Sequence, residues 1–202
     1  RAIALLCLLC LCAAARGGDA PRAPQPGAKK ASVPGPVMTQ GPVVTPADPW
    51  AEAVAAFTAA DQQRTQSGGV VFVGSSSIRL WTDLEKKFRA YAAVNRGFGG
   101  STLTDCLLHL DRLVLPHQPR LVIVYAGDND IAYGRTPQQV LDDFIALAAR
   151  IHERLPKTEI AFVSIKPSPA RADLLDRVRD ANTRVRNYVA THPYLTYVDV
   201  FT

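Results

Sequence analysis

Short runs of apolar residues recur along this chain, separated by stretches whose apolar positions fall three and four apart. Val70-Val71-Phe72-Val73 is apolar throughout, the pattern of an inner parallel strand covered on both faces. Gly74 turns the chain, Ser75-Ser76-Ser77 follow, and Ile78, Leu80, Trp81, Leu84 and Phe88 predict a short helical segment just after the serines. Further strands are predicted over Tyr91–Asn95, Leu121–Ala126, Ile160–Ile165 and Leu195–Val200. Four longer helical patterns precede or separate them. Trp50–Gln66 is amphipathic around Val54 and Phe57, with Asp48 as its cap and Pro49 in its first turn. Thr102–Leu115 carries Leu103, Leu107, Leu110 and Val114 on one face and ends at Pro116. A third helix opens with Thr136 as cap and Pro137 at the first position and runs to Leu155 before Pro156. A fourth presents Leu174, Val178, Ala181, Val185, Tyr188 and Val189.

Strand and helix alternate five times, so the chain predicts an α/β fold with right-handed crossovers and helices on both faces of a parallel sheet. The expected architecture is a flavodoxin-like three-layer α/β/α sandwich with a five-stranded sheet in the order 2-1-3-4-5. That order brings the loops after strands one, two and three together at the switch point, where open α/β sheets bind ligands. Those loops hold Ser75–Ser77, Gly97–Ser101 and Gly127–Asp130.

Composition changes the picture ahead of residue 49. Residues 1–15 are free of charge after Arg1 and close on Ala13-Ala14-Ala15, as a secretory signal peptide does. Residues 16–48 turn to Pro, Gly and Ala, and eight of the 15 prolines fall between Gly17 and Pro49, which predicts a disordered tether. The domain is expected over 49–202. Its predicted location is secreted or periplasmic, with a lipoprotein anchor on Cys10 or Cys12 the weaker option and no stable membrane span after cleavage of the leader. A net charge of +5 mixed with acidic residues along the helices does not suit nucleic acid. Cys106, among leucines, reads as a buried thiol rather than a nucleophile.

The three loops offer a hydroxyl, a glycine N–H and a carboxamide, the set that acyl transfer needs: a nucleophile, and donors for the oxyanion. Taken singly, a serine triplet reads as a turn or helix cap, Gly-Gly as backbone relief, and Asn after a strand as a loop closer. Together, and in this order, they resemble the SGNH (GDSL-type) hydrolase family. Gly74-Ser75-Ser76-Ser77 matches its first block with Ser75 in place of the usual Asp. Asn95-Arg96-Gly97-Phe98-Gly99-Gly100 matches the second, and Gly127-Asp128-Asn129-Asp130 the third. The resemblance spans about Val70 to Thr202 and implies Ser76 as nucleophile with Gly100 and Asn129 as oxyanion donors. It implies a secreted serine esterase or acylhydrolase that cleaves carboxylic esters, with small-molecule, carbohydrate or lipid esters as substrates and no cofactor.

The family's last block, Asp-x-x-His, which supplies the base, is absent: the sequence ends at Val198-Asp199-Val200-Phe201-Thr202. The expectation is a domain truncated at its carboxyl end, with the catalytic His and Asp beyond residue 202, and a chain inactive as given. The missing closing helix is also expected to leave one sheet face bare. His109, His117, His152 and His192 read as surface or core residues, Asp199 precedes the catalytic loop, and Asp130 braces its own loop. Asp128 and Asp130 have no third ligand for a metal. Lys166, Ser168 and Arg171 either line the substrate pocket or form a solvated loop. Two other readings stand beside the esterase: a flavodoxin-like module binding phosphate or flavin, and an SGNH protein that binds without catalysis.

Overall fold

The computed structural model of the chain describes residues 48–201; the predicted leader and nearly all of the tether lie outside them. Helix α1 (Ala51–Asp61) leads to strand β1 (Val70–Gly74), short helices α2 (Ser76–Arg79) and α3 (Leu84–Lys87), and β2 (Ala93–Gly97). Then come α4 (Leu103–Leu108), α5 (Leu110–Leu113), β3 (Leu121–Tyr125), α6 (Asp128–Ala132), α7 (Pro137–Arg154), β4 (Glu159–Val163), α8 (Leu175–Val189) and β5 (Leu195–Val198). The five strands form one parallel sheet in the order β2-β1-β3-β4-β5, as the sequence predicts. β1 and β3 are buried at every position, which is why they read as unbroken apolar runs.

One face of the sheet packs Val71, Val73, Val122, Val124, Ile160 and Phe162 against side chains of α1, α4, α5, α7 and α8. Helix α7 opens on a capping box, in which Thr136 Oγ1 accepts from Gln139 N and the Gln139 side chain accepts from Thr136 N. On the other face Phe72, Trp81 and Phe88 stack with ring centroids 5.4 to 6.1 Å apart.

Several expectations need correction. The other face is not bare: Tyr125, Ala161, Val163 and Val198 are buried, in one cluster with Ile78, Trp81, Leu84 and Phe88, and Val200 packs against it. The helix expected over Trp50–Gln66 ends at Asp61, and Trp50 is its N-cap residue. Asp48 instead closes the preceding turn, its Oδ1 accepting from Trp50 N at 2.9 Å. The Thr102–Leu115 helix is two helices, because the backbone leaves helical geometry at His109, whose ring is drawn into the core against Phe98 at 6.0 Å. The second strand starts two residues late, since Ala92 takes a left-handed φ of 49° after a 3₁₀ turn at Arg89–Tyr91. Among the described residues, no helix is long and apolar enough to cross a membrane.

Candidate active site

Each of the three loops is shaped by a glycine or a polar tie at the carboxyl end of its strand. Gly74 has φ 145°, and a Cβ there would fall 1.9 Å from the Tyr125 carbonyl oxygen, so no other residue fits beside β3. Ser75 N donates to that same carbonyl at 2.9 Å, and the chain turns directly into α2, whose first residue is Ser76. Ser75 is fully buried and its hydroxyl donates to Asp128 Oδ1 at 3.3 Å, whereas Ser76 stays open to the cleft above the sheet.

The second loop is tied to the first from both ends. Asn95 Nδ2 donates to Ile78 O at 2.9 Å, its Oδ1 accepts from Gly97 N at 2.9 Å, and Phe98 N donates to Gly74 O at 2.9 Å. Gly100 then adopts φ +84°, a left-handed turn that presents backbone toward the cleft.

The third loop is helical from its first residues, with Gly127 at φ 117° before α6. Asn129 is nearly buried. Its Nδ2 donates to Ser101 O at 3.0 Å and its Oδ1 accepts from Arg171 at 2.9 Å. A carbonyl only accepts and a guanidinium only donates, so the two contacts fix which way the amide faces. One Nδ2 proton is used on Ser101, leaving the second for another acceptor. Arg171 also lies 3.4 Å from Asp128 Oδ2, so Ser75, Asp128, Arg171 and Asn129 form one polar chain linking the first and third loops to the exit of β4.

Asp130 does not brace its own loop alone, as the sequence suggests. Both of its oxygens face Leu103 N, at 3.1 and 3.4 Å, and so pin the second loop's helix to the third loop. Burial, reinforced by Asp143 and Asp128, pushes its pKa up to about 6 against the pull of the Leu103 N–H.

Ser76, Gly100 and Asn129 line one cleft of about 1810 Å³, with Arg171 beside Asn129. Lys166 and Ser168 are not part of its wall. None of the chain's four histidines is either. His109 and His117 are buried, His152 stacks on Tyr194 at 4.0 Å, and His192 packs on Tyr188 at 4.0 Å. Asp199 pairs with Arg186 beyond β5. Cys106 is fully buried, its thiol pushed well above the usual range by burial and by Asp130 and Asp105. Among the described residues no three His, Cys, Asp or Glu side chains gather as a metal site.

Among the contributors to the wall that sequence reasoning missed are Trp50, Arg79 and Tyr133. Trp50 sits on α1, and nothing local ties that helix to Gly100. Its proline neighbour and cap pattern marked a helix start, not a cleft wall.

Residues 65–202 match the GDSL-like Lipase/Acylhydrolase family, and the chain belongs to it. Comparison with curated proteins gives no match. Among solved structures the fold is similar to a GDSL-like lipase from Bacteroides thetaiotaomicron, at 21% identity and TM-score 0.63, over 72% of this chain and 77% of that one. It is also similar to a Streptococcus pneumonia protein whose name refers to platelet activating factor, at 19% identity and TM-score 0.66, over 74% of each chain. AlinE4, an SGNH-hydrolase family esterase, superimposes at 20% identity and TM-score 0.53 over 68% of this chain and 78% of its own.

Proposed function

We propose that this member of the family is a secreted serine esterase. Ser76 Oγ attacks the carbonyl carbon of a carboxylic ester. The oxyanion is held by the Gly100 N–H, the free Nδ2 proton of Asn129 and the Ser76 N–H. The bond to the alcohol oxygen breaks, the alcohol leaves with the proton that Ser76 gave up, and water clears the acyl-enzyme. A general base carries that proton from Ser76 to the leaving oxygen. The assignment to the secretory route rests on the leader-like residues 1–15.

The observation that carries this reading is the shared cleft: hydroxyl, left-handed glycine and oriented carboxamide come from three separate loops and open into one space. A phosphate-binding loop is a poorer account, because the Asp128 carboxylate accepts from the hydroxyl of Ser75 where a phosphate would have to approach.

The test is turnover of a short-chain aryl acetate by the full-length protein. Ser76→Ala abolishes it, and Asn129→Ala lowers kcat by about 10² to 10³, the usual loss of one oxyanion donor. Undiminished turnover in the Ser76→Ala protein overturns the assignment.

A further inference from the structure

The Gly99-Gly100 pair is enclosed from two sides by unlike chemistry. The Arg79 guanidinium lies against Gly99, its Nε 2.7 Å and its Cζ 3.2 Å from where a Cβ would stand. At Gly100 the corresponding neighbours are the Trp50 ring at 3.2 Å and the Tyr133 hydroxyl at 3.6 Å. All three side chains line the cleft that holds Ser76, and Arg79 follows Ser76 by one helical turn on α2. Trp50 is held edge-on by Phe98 at 5.5 Å.

The other arginines of this cleft have partners. Arg64 is paired with Glu85, Arg96 with Asp61, and Arg171 with Asp128. Among the described residues, no carboxylate comes within ion-pair distance of Arg79. Glu52, the cleft's other carboxylate besides Glu85, is exposed on the α1 wall. A guanidinium that is unpaired, open and seated next to the reacting loop is a receptor for an anion.

We propose that Arg79 determines specificity by binding an anionic group, a carboxylate or phosphate, carried by the ester substrate, while the substrate's ring or apolar part lies against Trp50 and Tyr133. This rests on the ester-hydrolase reading of Ser76 and names the substrate class of that site. Trp50 lies ahead of the family match at 65–202, so this half of the aromatic wall comes from the start of α1, outside the matched region.

Binding tests the proposal without any need for turnover, because the chain's two tryptophans, Trp50 and Trp81, both line the cleft and report occupancy by fluorescence. The probes are amides that an esterase leaves intact: neutral 4-acetamidotoluene, 4-acetamidobenzoate and 4-acetamidophenyl phosphate. At least one anion is expected to bind about tenfold more tightly than the neutral probe, and the stronger of the two identifies the anionic group. Arg79→Gln reduces that preference to within about twofold while leaving the neutral probe unaffected. Gly99→Ala does the same without removing a charge, since its new Cβ displaces the guanidinium. Equal binding of all three probes, no binding of any, or a preference that survives Arg79→Gln overturns the proposal. If the preference is present and Arg79-dependent while Ser76→Ala leaves turnover intact, the esterase reading fails and the anion site stands.

Discussion

Two of the arginine–aspartate pairs in this molecule do opposite work. Arg96 on β2 is 2% exposed and bonds Asp61 at the end of α1, while its guanidinium lies over the Phe57 ring at 4.9 Å. His117 Nε2 is 3.1 Å from the same guanidinium. The same nitrogen lies 3.3 Å from Asp61 Oδ2, and burial and the charge on Arg96 push the His117 pKa down against the pull of Asp61. Arg171 is about one-third exposed, touches Asp128 at 3.4 Å, and its other nitrogen reaches Asn129 Oδ1. The chemistry of the two pairs is alike. What differs is what hangs from them: the first fastens a helix to the sheet edge, and the second orients one amide beside Ser76.

The comparison is broken most severely by Asp61→Ala, which leaves Arg96 buried without its carboxylate. Breaking a buried pair from one side costs about 3 to 5 kcal/mol, so urea denaturation should show a loss of that order. A change below about 1 kcal/mol would make the Arg96 cluster as dispensable as a surface pair.

Arg171→Ala is expected to do the reverse. A half-open pair contributes less than about 1 kcal/mol to stability, so the denaturation midpoint barely moves. In the full-length protein kcat falls about tenfold with KM little changed, because Asn129 keeps its donor but loses the contact that orients it. Equal loss in stability and none in kcat would place Arg171 with Arg96 as a structural residue.

The last effect concerns pH. Asp130 has a folded pKa of about 6 against an ordinary 3.8, so between those values the folded protein holds more protons than the unfolded one. Stability therefore falls as pH rises across that window and is flat with respect to Asp130 above it. Asp130→Asn, which still offers an oxygen to Leu103 N, should remove this part of the slope in melts taken from pH 4 to pH 7. An unchanged slope would assign the pH dependence to other groups.

The sheet and its order were legible because β1 and β3 are buried on both faces and their sequences show it without interruption. The three loops were legible because each follows a predicted strand and carries the family's block. The breaks at Ala92 and His109 were not, since both depend on where a neighbouring element sits. The same holds for the two arginines. Arg96 belongs to the second block, yet its partners Asp61 and His117 are 35 and 21 residues away in sequence. Arg171 reads equally well as part of a solvated loop until Asn129 is placed 2.9 Å from it. Trp50 gave no sign of facing Gly100. The departure at Ser75 shows how a local rule yields to context: the family's acidic position holds a serine here, and a carboxylate from the third loop, Asp128, meets it instead.

Of all the assignments, that of the reacting hydroxyl bears the most weight. Treating the full-length protein with a serine-directed phosphonate and mapping the adduct by tandem mass spectrometry tests it directly, because Ser75, Ser76 and Ser77 differ in fragment mass position. The adduct is expected on Ser76 alone, and to be lost in the Ser76→Ala protein. An adduct on Ser75 or Ser77, or ester turnover by a protein that takes up no phosphonate at Ser76, would contradict the account.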